Sequence, residues 1–352
     1  MNILKIFLMQ QHANKDEKLQ SPSDDSNKKG LHTKDTLWLQ NMGLLLLGGV
    51  ASILIPKFFN NYITFVFITL IINAILCVSL NLINGYMGEF SVGHAAFMAL
   101  GAYSSAIITV KIAPTLPVFF LFPLAVTAGG FVAGLVGVPL AILSFKTRGD
   151  YLAIITLSFL MIVKSGFENI PFVGGPRGFL GIPQLTTLPW AYFWGVLTFW
   201  ILRNFINSKW GRSITAIRED EIAAQAMGVS TRSAKMMTFV ISSFFAGVAG
   251  GLFAQQIQFI NPSSFDILKS TNILVMVYLG GVGSLSGSLV GAVVFTLLYQ
   301  FLQPFGVWRM VIMPLLLVLL MIFRPRGIMG FREWTWLQPK EIPTKKIHHS
   351  VL

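Results

Sequence analysis

The chain alternates between long apolar runs and short polar stretches. A helix needs about 20 consecutive apolar residues to cross the hydrocarbon core of a bilayer, and runs of that length recur from residue 37 onward. The pattern therefore predicts an all-α, polytopic integral membrane protein with about 8–10 transmembrane helices. The apolar segments lie at 37–55, 60–83, 91–112, 117–144, 150–167, 189–206, 235–257, 270–283, 287–303 and 307–323. The eighth is short and ends in glycine, so a half-helix is an alternative to a full span there.

Two apolar stretches are interrupted by Gly, Ser and Asn: NLINGYMGEFSVGHAAF at 81–97 and YLGGVGSLSGSLVGA at 278–292. We name them the first and second glycine segments. Irregular backbone at membrane depth must be satisfied by protein or by a water-filled cavity, and paired broken segments point to a transport pathway. An equal alternative is a tight cytoplasmic turn in which glycine allows close helix packing. On the pathway interpretation the candidate residues are Asn81, Asn84, Gly85, His94, Gly280, Gly281 and Gly283.

Two titratable residues of the first glycine segment have ordinary alternatives. His94, between Gly93 and Ala95, is more often a packed or capping residue than a catalyst. If Glu89 lies at membrane depth, a functional role is the default interpretation, because burying a carboxylate there is costly. At the level of the lipid headgroups the same argument does not apply.

Basic residues set the predicted orientation. With the N-terminus inside, the predicted cytoplasmic parts hold 20 of the 26 Lys and Arg residues, as the positive-inside rule requires. Both termini are therefore predicted to be cytoplasmic. The predicted organisation is a disordered polar tail at 1–36, a transmembrane domain at 37–330 with a cytoplasmic loop at 209–235, and a cytoplasmic tail at 331–352.

The sequence lacks the motifs of several enzyme and binding classes. It contains no G-x-x-x-x-G-K-[ST] phosphate loop, and its single cysteine, Cys77, lies in an apolar run. No Ser/His/Asp set and no Cys/His cluster stands out. The net charge of +12 lies in tails and alternate loops, which indicates a lipid bilayer and no nucleic acid as partner. We therefore expect no enzymatic activity, no cofactor and no metal.

The loop at 209–235, KWGRSITAIREDEIAAQAMGVSTRSAK, is a polar island between two apolar segments. Drawn as one helix over 213–227, it separates a small apolar side from a charged side. Gly228 then ends the helix, and Ser230 caps the next one. The apolar side is Ala216, Ile217, Ala223, Ala224 and Met227, and the other side is Arg218, Glu221 and Gln225. Small side chains favour docking into a groove of another protein over the alternative, a helix lying on the bilayer.

Six stretches together resemble the permease subunits of branched-chain amino acid ABC transporters, of the LivM type. They occur in the family's order, and the resemblance extends over nearly all of residues 60–330. Their sequences are NLINGYMGEFSVGHAAFMALGAY, TRGDYLAIITLSF, GGPRGFLGIP, GRSITAIREDEIAAQAMGVST, VYLGGVGSLSGSLVGA and RPRGIMG.

The resemblance assigns a role to the loop. ABC permeases carry a cytoplasmic E-A-A-x-x-x-G pattern that docks into the ATPase subunit, and here Ala223, Ala224 and Gly228 match it. Ile222 holds the position of the glutamate, and Glu221 precedes it. The resemblance thus implies docking through Ala223, Ala224 and Gly228, with Glu221 as the displaced glutamate. The charged side of the loop adds Arg218 to the candidate residues.

The resemblance also implies partners and a function. The partners are a second permease subunit in a heterodimer, two ATP-binding subunits and a periplasmic or extracytoplasmic binding protein. The implied function is import of branched-chain or related hydrophobic amino acids across a bacterial inner membrane, driven by ATP hydrolysed on the partners. One alternative is the same machine carrying urea or short-chain amides. Two rival functions belong to other classes. An ion-coupled secondary carrier would need acidic residues buried in the spans, and the sequence has few there. An intramembrane enzyme would need a clustered nucleophile and base, which the sequence does not show.

Overall fold

The computed structural model describes residues 46–112, 117–144 and 151–308, together with 311, 312, 315, 318, 319, 322, 323, 327–330, 333 and 334. The chain divides into two units, residues 1–51 and 52–352. In the first unit the described residues are the opening turns of an apolar helix, Leu46–Phe58, named α1. The predicted tail at 1–36 and most of the tail at 331–352 lie outside the described residues.

Helices make up nearly all of the described part of the second unit. They are α2 (Asn61–Asn81), α3 (His94–Ile107), α4 (Val118–Ser144), α5 (Tyr151–Asn169), α6 (Leu188–Asn207), α7 (Lys209–Glu219), α8 (Glu221–Ala226), α9 (Thr231–Ile257), α10 (Ile267–Gly280) and α11 (Leu285–Phe301). Two π-helical turns, Leu82–Met87 and Ile108–Ile112, extend α2 and α3. Short 3-10 turns lie at Pro171–Val173, Gly175–Arg177, Pro262–Phe265 and Gln303–Trp308.

Within the described ranges, five helices are long and apolar enough to cross a membrane. They are Asn61–Met87, His94–Ile112, Val118–Leu143, Tyr151–Asn169 and Thr231–Ile257. This confirms the prediction of an all-α, polytopic membrane protein, while the cytoplasmic placement of the termini stays a prediction. The 14 residues of α10 are about 21 Å long, shorter than a hydrocarbon core of about 30 Å. That length fits the half-helix alternative.

The centre of the second unit is α9, which packs against α2, α3 and α4. Lipid tails are as apolar as leucine, so close approach of small residues must hold these helices together. Glycines supply that approach: Gly247 lies against Gly101 and Gly129, and Gly250 lies against the backbone of α3 at Met98. Most of the α9 span is buried inside the protein, whereas little of the α5 span is.

Buried amides add hydrogen bonds between the helices. Asn73 of α2 donates to Thr296 of α11 at 3.0 Å, and Gln255 of α9 donates to Ser105 of α3 at 2.7 Å. Such interhelical bonds satisfy polar groups that neither lipid nor apolar side chains can satisfy. They hold the framework on which the glycine segments and the polar loop are mounted.

Candidate functional site

The polar loop folds as two helices, and the prediction of one helix over 213–227 is wrong. Asp220 has extended backbone angles, φ −157° and ψ 111°, and it separates α7 from α8. Its carboxylate accepts from the backbone N–H groups of Ile222 and Ala223 at 2.9 and 3.0 Å. Asp is a strong N-cap because it satisfies N–H groups that have no partner within the helix.

The end of α8 follows the prediction, and the start of α9 does not. Gly228 has a left-handed φ of 82°, and Val229 N–H donates to the Ala224 carbonyl at 3.0 Å. These features terminate a helix as expected for glycine. Ser230 occupies the N-cap position of α9, but its side chain makes no capping hydrogen bond in the described structure.

The break at Asp220 divides the predicted apolar side of the loop. Ile217 and Ala224 are buried in this chain, Ala224 being 5% exposed, whereas Ala216 and Ala223 are exposed. Beside the exposed Gln225, the other exposed side chains of α8 and its C-cap residue form a small apolar surface, which we name the α8 tip. It consists of Ile222 (69% exposed), Ala223, Ala226 and Met227 (85% exposed).

Arg218 connects the loop to the first glycine segment. Its guanidinium donates to the Gly85 carbonyl at 3.1 Å and to the Glu219 carboxylate at 2.8 and 3.2 Å. Its aliphatic stem packs on Gly88, where a β-carbon would come within 2.6 Å of Arg218 Cγ. Arg218, predicted as a flanking charge, therefore contacts its own chain at the glycine segment.

Glu221 is also paired inside the chain. Its carboxylate lies 3.1 Å from Lys235 Nζ, and the same ammonium lies 2.7 Å from Glu89. Lys235 is 4% exposed. The three residues come from α8, from α9 and from the first glycine segment, so they form a second connection between the loop and that segment.

The two glycine segments contact each other through Asn81. Its amide donates to the Ser284 carbonyl at 2.9 Å and to Ser288 Oγ at 2.6 Å, and its oxygen accepts from Gly283 N–H at 2.9 Å. Gly85 lies so close to Gly283 that a β-carbon there would be 2.9 Å from Gly283 Cα. Segments about 200 residues apart in sequence thus meet backbone to backbone.

The other pathway candidates are buried in local contacts. Asn84 accepts from Ser91 N–H and donates to its carbonyl, at 3.2 and 3.3 Å. His94 Nε2 lies 2.9 Å from Ser79 Oγ. Gly280 packs on the backbone of α11, and Gly281 packs beside Gly330. Glycine thus allows the close packing that the alternative interpretation expected, and the pathway role of all seven residues stays a prediction.

A cleft of about 440 Å³ lies beside these contacts, between α7 and the start of α11. One pathway candidate, Gly283, lines it. At one end Glu333 accepts from Tyr86 Oη at 2.6 Å and from Leu285 N–H at 2.7 Å. The other lining residues are Ile206, Asn207, Gly211, Arg212, Thr215, Ala216 and Glu219.

Sequence reasoning missed Lys235 and Glu333 as members of this site. In the sequence, Lys235 is one of the basic residues that predict the orientation, and Glu333 lies in the predicted tail at 331–352. A basic residue at the polar end of a span and an acidic residue in a glycine segment were the available signals. Neither specifies the pairing, because Lys235 and Glu89 are 146 residues apart in sequence.

Replacing Asp220 with alanine should loosen α8. Loss of an N-cap side chain costs about 1 kcal/mol, which raises local opening roughly fivefold. Hydrogen–deuterium exchange of the amides at 222–226 measures this. Asp220→Asn keeps the cap and should exchange at the wild-type rate, and equal exchange in the alanine variant would contradict the assigned cap.

Comparison with known proteins places the whole arrangement in a family. The family model described as "Branched-chain amino acid transport system / permease component" matches residues 62–323. The high-affinity branched-chain amino acid transport system permease protein LivM of Escherichia coli is 31% identical over 290 residues, covering 72% of this chain and 67% of the relative. No solved structure matches the chain.

Other relatives carry different names. The permease protein LivH of Salmonella typhimurium, from the same kind of amino acid system, is 29% identical over 189 residues, 52% of this chain and 60% of the relative. The ribose import permease protein RbsC of Haemophilus influenzae is 24% identical over 272 residues, 72% and 81% of the two chains. The family match spans the five membrane-crossing helices, the glycine segments and the polar loop. This chain therefore belongs to the family of branched-chain amino acid transport system permease components.

Proposed function

We propose that the chain is the membrane-spanning subunit of an ABC importer for branched-chain or related hydrophobic amino acids. The observation that carries the proposal is the exposed apolar α8 tip, on a loop that is bonded to the first glycine segment. In this proposal the energy comes from ATP hydrolysed on two partner subunits, and this chain is not itself an enzyme.

The remaining parts of the machine are proposed as follows. A second permease subunit completes the membrane domain in a bacterial inner membrane, and an external binding protein delivers the amino acid. The loop at 209–235 faces the cytoplasm. Closure of the ATP-binding subunits displaces the α8 tip, and the membrane helices respond because the partners interact differently with their two arrangements.

The proposed route for the cargo passes the two glycine segments. Asn81, Gly85 and Gly283 are in direct contact, so a cargo can pass between the segments only when they separate. Backbone dipoles and the ends of half-helices can bind an amino acid zwitterion without a buried counter-charge. The choice of cargo rests on the relatives' names, since a ribose permease also resembles this chain.

One purification and one uptake assay test the proposal. The chain is expressed with its neighbouring genes, purified in mild detergent and analysed for co-purifying subunits, and uptake of labelled leucine is measured in proteoliposomes. We expect an ATP-binding subunit to co-purify and uptake to require ATP. Recovery of the chain alone, with uptake that persists after ATP depletion, would instead indicate an ion-coupled carrier. Competition by urea, ribose and other amino acids identifies the cargo.

The Met227→Asp variant tests docking at the α8 tip. Burying a carboxylate in an apolar groove should weaken recovery of the ATP-binding subunit roughly tenfold, or about 1.4 kcal/mol. Leu180→Asp, at a similarly exposed residue of another loop, is the control and should leave that recovery unchanged. If the ATP-binding subunit is recovered normally with Met227→Asp, the α8 tip is not part of the interface. Ala224 is unsuitable for this test because it is buried in its own chain.

A further inference from the structure

We propose that Lys235 transmits the displacement of the loop to the first glycine segment, by holding Glu89 and Glu221 on one ammonium group. The inference rests on the proposed function, and it names a positioning residue that neither the family pattern nor the α8 tip contains. The contact to Glu221 is the one that opens and closes, and the contact to Glu89 is permanent.

The geometry places one cation between α8 and the first glycine segment. Lys235 Nζ lies 2.7 Å from the Glu89 carboxylate and 3.1 Å from that of Glu221. Glu89 follows the π-helical turn of the first glycine segment, and Glu221 begins α8. An ammonium group has three donors, so it can bind both carboxylates at once. A displacement of α8 that makes or breaks the Glu221 contact therefore acts on Lys235, and through it on Glu89.

Exposure distinguishes the two contacts. The side chain of Glu221 is 29% exposed, that of Glu89 is 12% exposed, and that of Lys235 is 5% exposed. If Glu221 leaves, its carboxylate reaches water while Lys235 stays neutralised by Glu89. If Glu89 left, a nearly buried carboxylate would lose its cation, which is costly. The triad has two acids and one base, so it can release one acid without leaving an unpaired charge inside.

The first glycine segment passes the displacement to the rest of the site. Four residues before Glu89, Gly85 contacts Gly283 of the second glycine segment. Three residues after Glu89, the Val92 carbonyl accepts from Ser270 Oγ of α10. Arg218 donates to the Gly85 carbonyl and so provides a second connection from the loop to this segment. A movement at Glu89 therefore reaches the second glycine segment, which lines the proposed cargo route, and α10.

The test measures how much amino acid is imported for each ATP hydrolysed by the purified complex in proteoliposomes. Lys235→Gln should lower this ratio roughly tenfold, within the usual range of coupling between sites, while the ATP-binding subunit still co-purifies. Lys235→Arg keeps the cation and should retain most of the ratio. Lys209→Gln removes the same charge from an exposed position of the same loop and should leave the ratio unchanged. A residue that only supports folding would lower uptake and ATP hydrolysis together and leave their ratio unchanged.

If the Lys235→Gln variant fails to accumulate in the membrane, the Glu221→Gln variant tests the proposed role of Lys235 instead. In that variant Lys235 remains paired with Glu89, so the fold should persist and the ratio should still fall. An unchanged ratio in Glu221→Gln, with a wild-type complex whose uptake requires ATP, overturns this inference alone. A wild-type chain without ATP-dependent uptake overturns the proposed function, and this inference with it.

Discussion

Replacing Gly250 with alanine is expected to lower the free energy of unfolding by about 2 kcal/mol, and the thermal midpoint with it. A β-carbon at Gly250 would lie 2.8 Å from the Met98 carbonyl carbon and 2.9 Å from the Ala102 nitrogen, with the Met98 oxygen closer still. These are backbone atoms of α3, so no side-chain rotation relieves the overlap. Alanine improves helix propensity by about 1 kcal/mol, but overpacking of a core costs about 1–3 kcal/mol. Backbone contact places this case at the high end, so the destabilising effect dominates.

Two other helical glycines provide matched controls for Gly250. A β-carbon at Gly166 of α5 would meet no described atom within 4 Å, and one at Gly134 of α4 would meet atoms no closer than 3.6 Å. Gly166→Ala and Gly134→Ala keep the propensity gain without the overlap, so both should be neutral or stabilising. Monodisperse protein after detergent extraction and its thermal midpoint are the measurements. A Gly250→Ala protein as abundant and as stable as these controls would contradict the close α3–α9 contact.

Replacing Gly85 with alanine is expected to abolish most uptake while the protein still accumulates in the membrane. The β-carbon would overlap Asn81 Oδ1 and lie 2.9 Å from Gly283 Cα. It would therefore push the glycine segments apart and break the bond between Gly283 N–H and Asn81. A tenfold loss corresponds to about 1.4 kcal/mol, within the about 1–3 kcal/mol that overpacking costs.

Gly195→Ala of α6 is the control for Gly85→Ala. Among the described atoms, its β-carbon would meet within 4 Å only a methyl group of Ile71, at 2.8 Å, and the end of a side chain can move aside. Labelled leucine uptake, normalised to the amount of chain in the proteoliposomes, separates the two variants. Equal uptake by Gly85→Ala and Gly195→Ala would show that the contact between the glycine segments is not needed for transport.

The membrane fold was predictable because its main determinant is local. Runs of about 20 apolar residues must be helical in a bilayer, and five of the predicted segments are long apolar helices. The motifs that carried the resemblance also proved specific, since the family match covers residues 62–323. Orientation, partners and cargo depend on molecules outside this chain, so they remain predictions.

The polar loop was predicted in position but not in shape. The periodicity of 213–227 fits one helix, and the competing effect is the capping preference of Asp220, whose side chain satisfies the first N–H groups of a new helix. That break rotates α8 and buries Ala224 while exposing Ile222. A pattern of apolar positions cannot reveal such a rotation, because both arrangements contain the same residues.

The contacts within the site were beyond sequence reasoning for a different reason. Asn81 bonds to Gly283, 202 residues away, and Lys235 bonds to Glu89, 146 residues away. Spacing rules relate residues within a few turns of one helix, and a single sequence contains no record of which distant segments meet. The residue types indicated that the segments were unusual, and only the fold shows how they are joined.

The joint made by Asn81 has an evolutionary consequence. Two of its three bonds are to backbone groups, the Gly283 N–H and the Ser284 carbonyl, so the joint uses no side chain of either residue, and only Gly283 is restricted to glycine, by its left-handed φ of 79°. Side chains beside these positions can therefore change while the two segments stay connected. On the proposed cargo route, the surface that a cargo meets can therefore vary while the joint between the two glycine segments is kept.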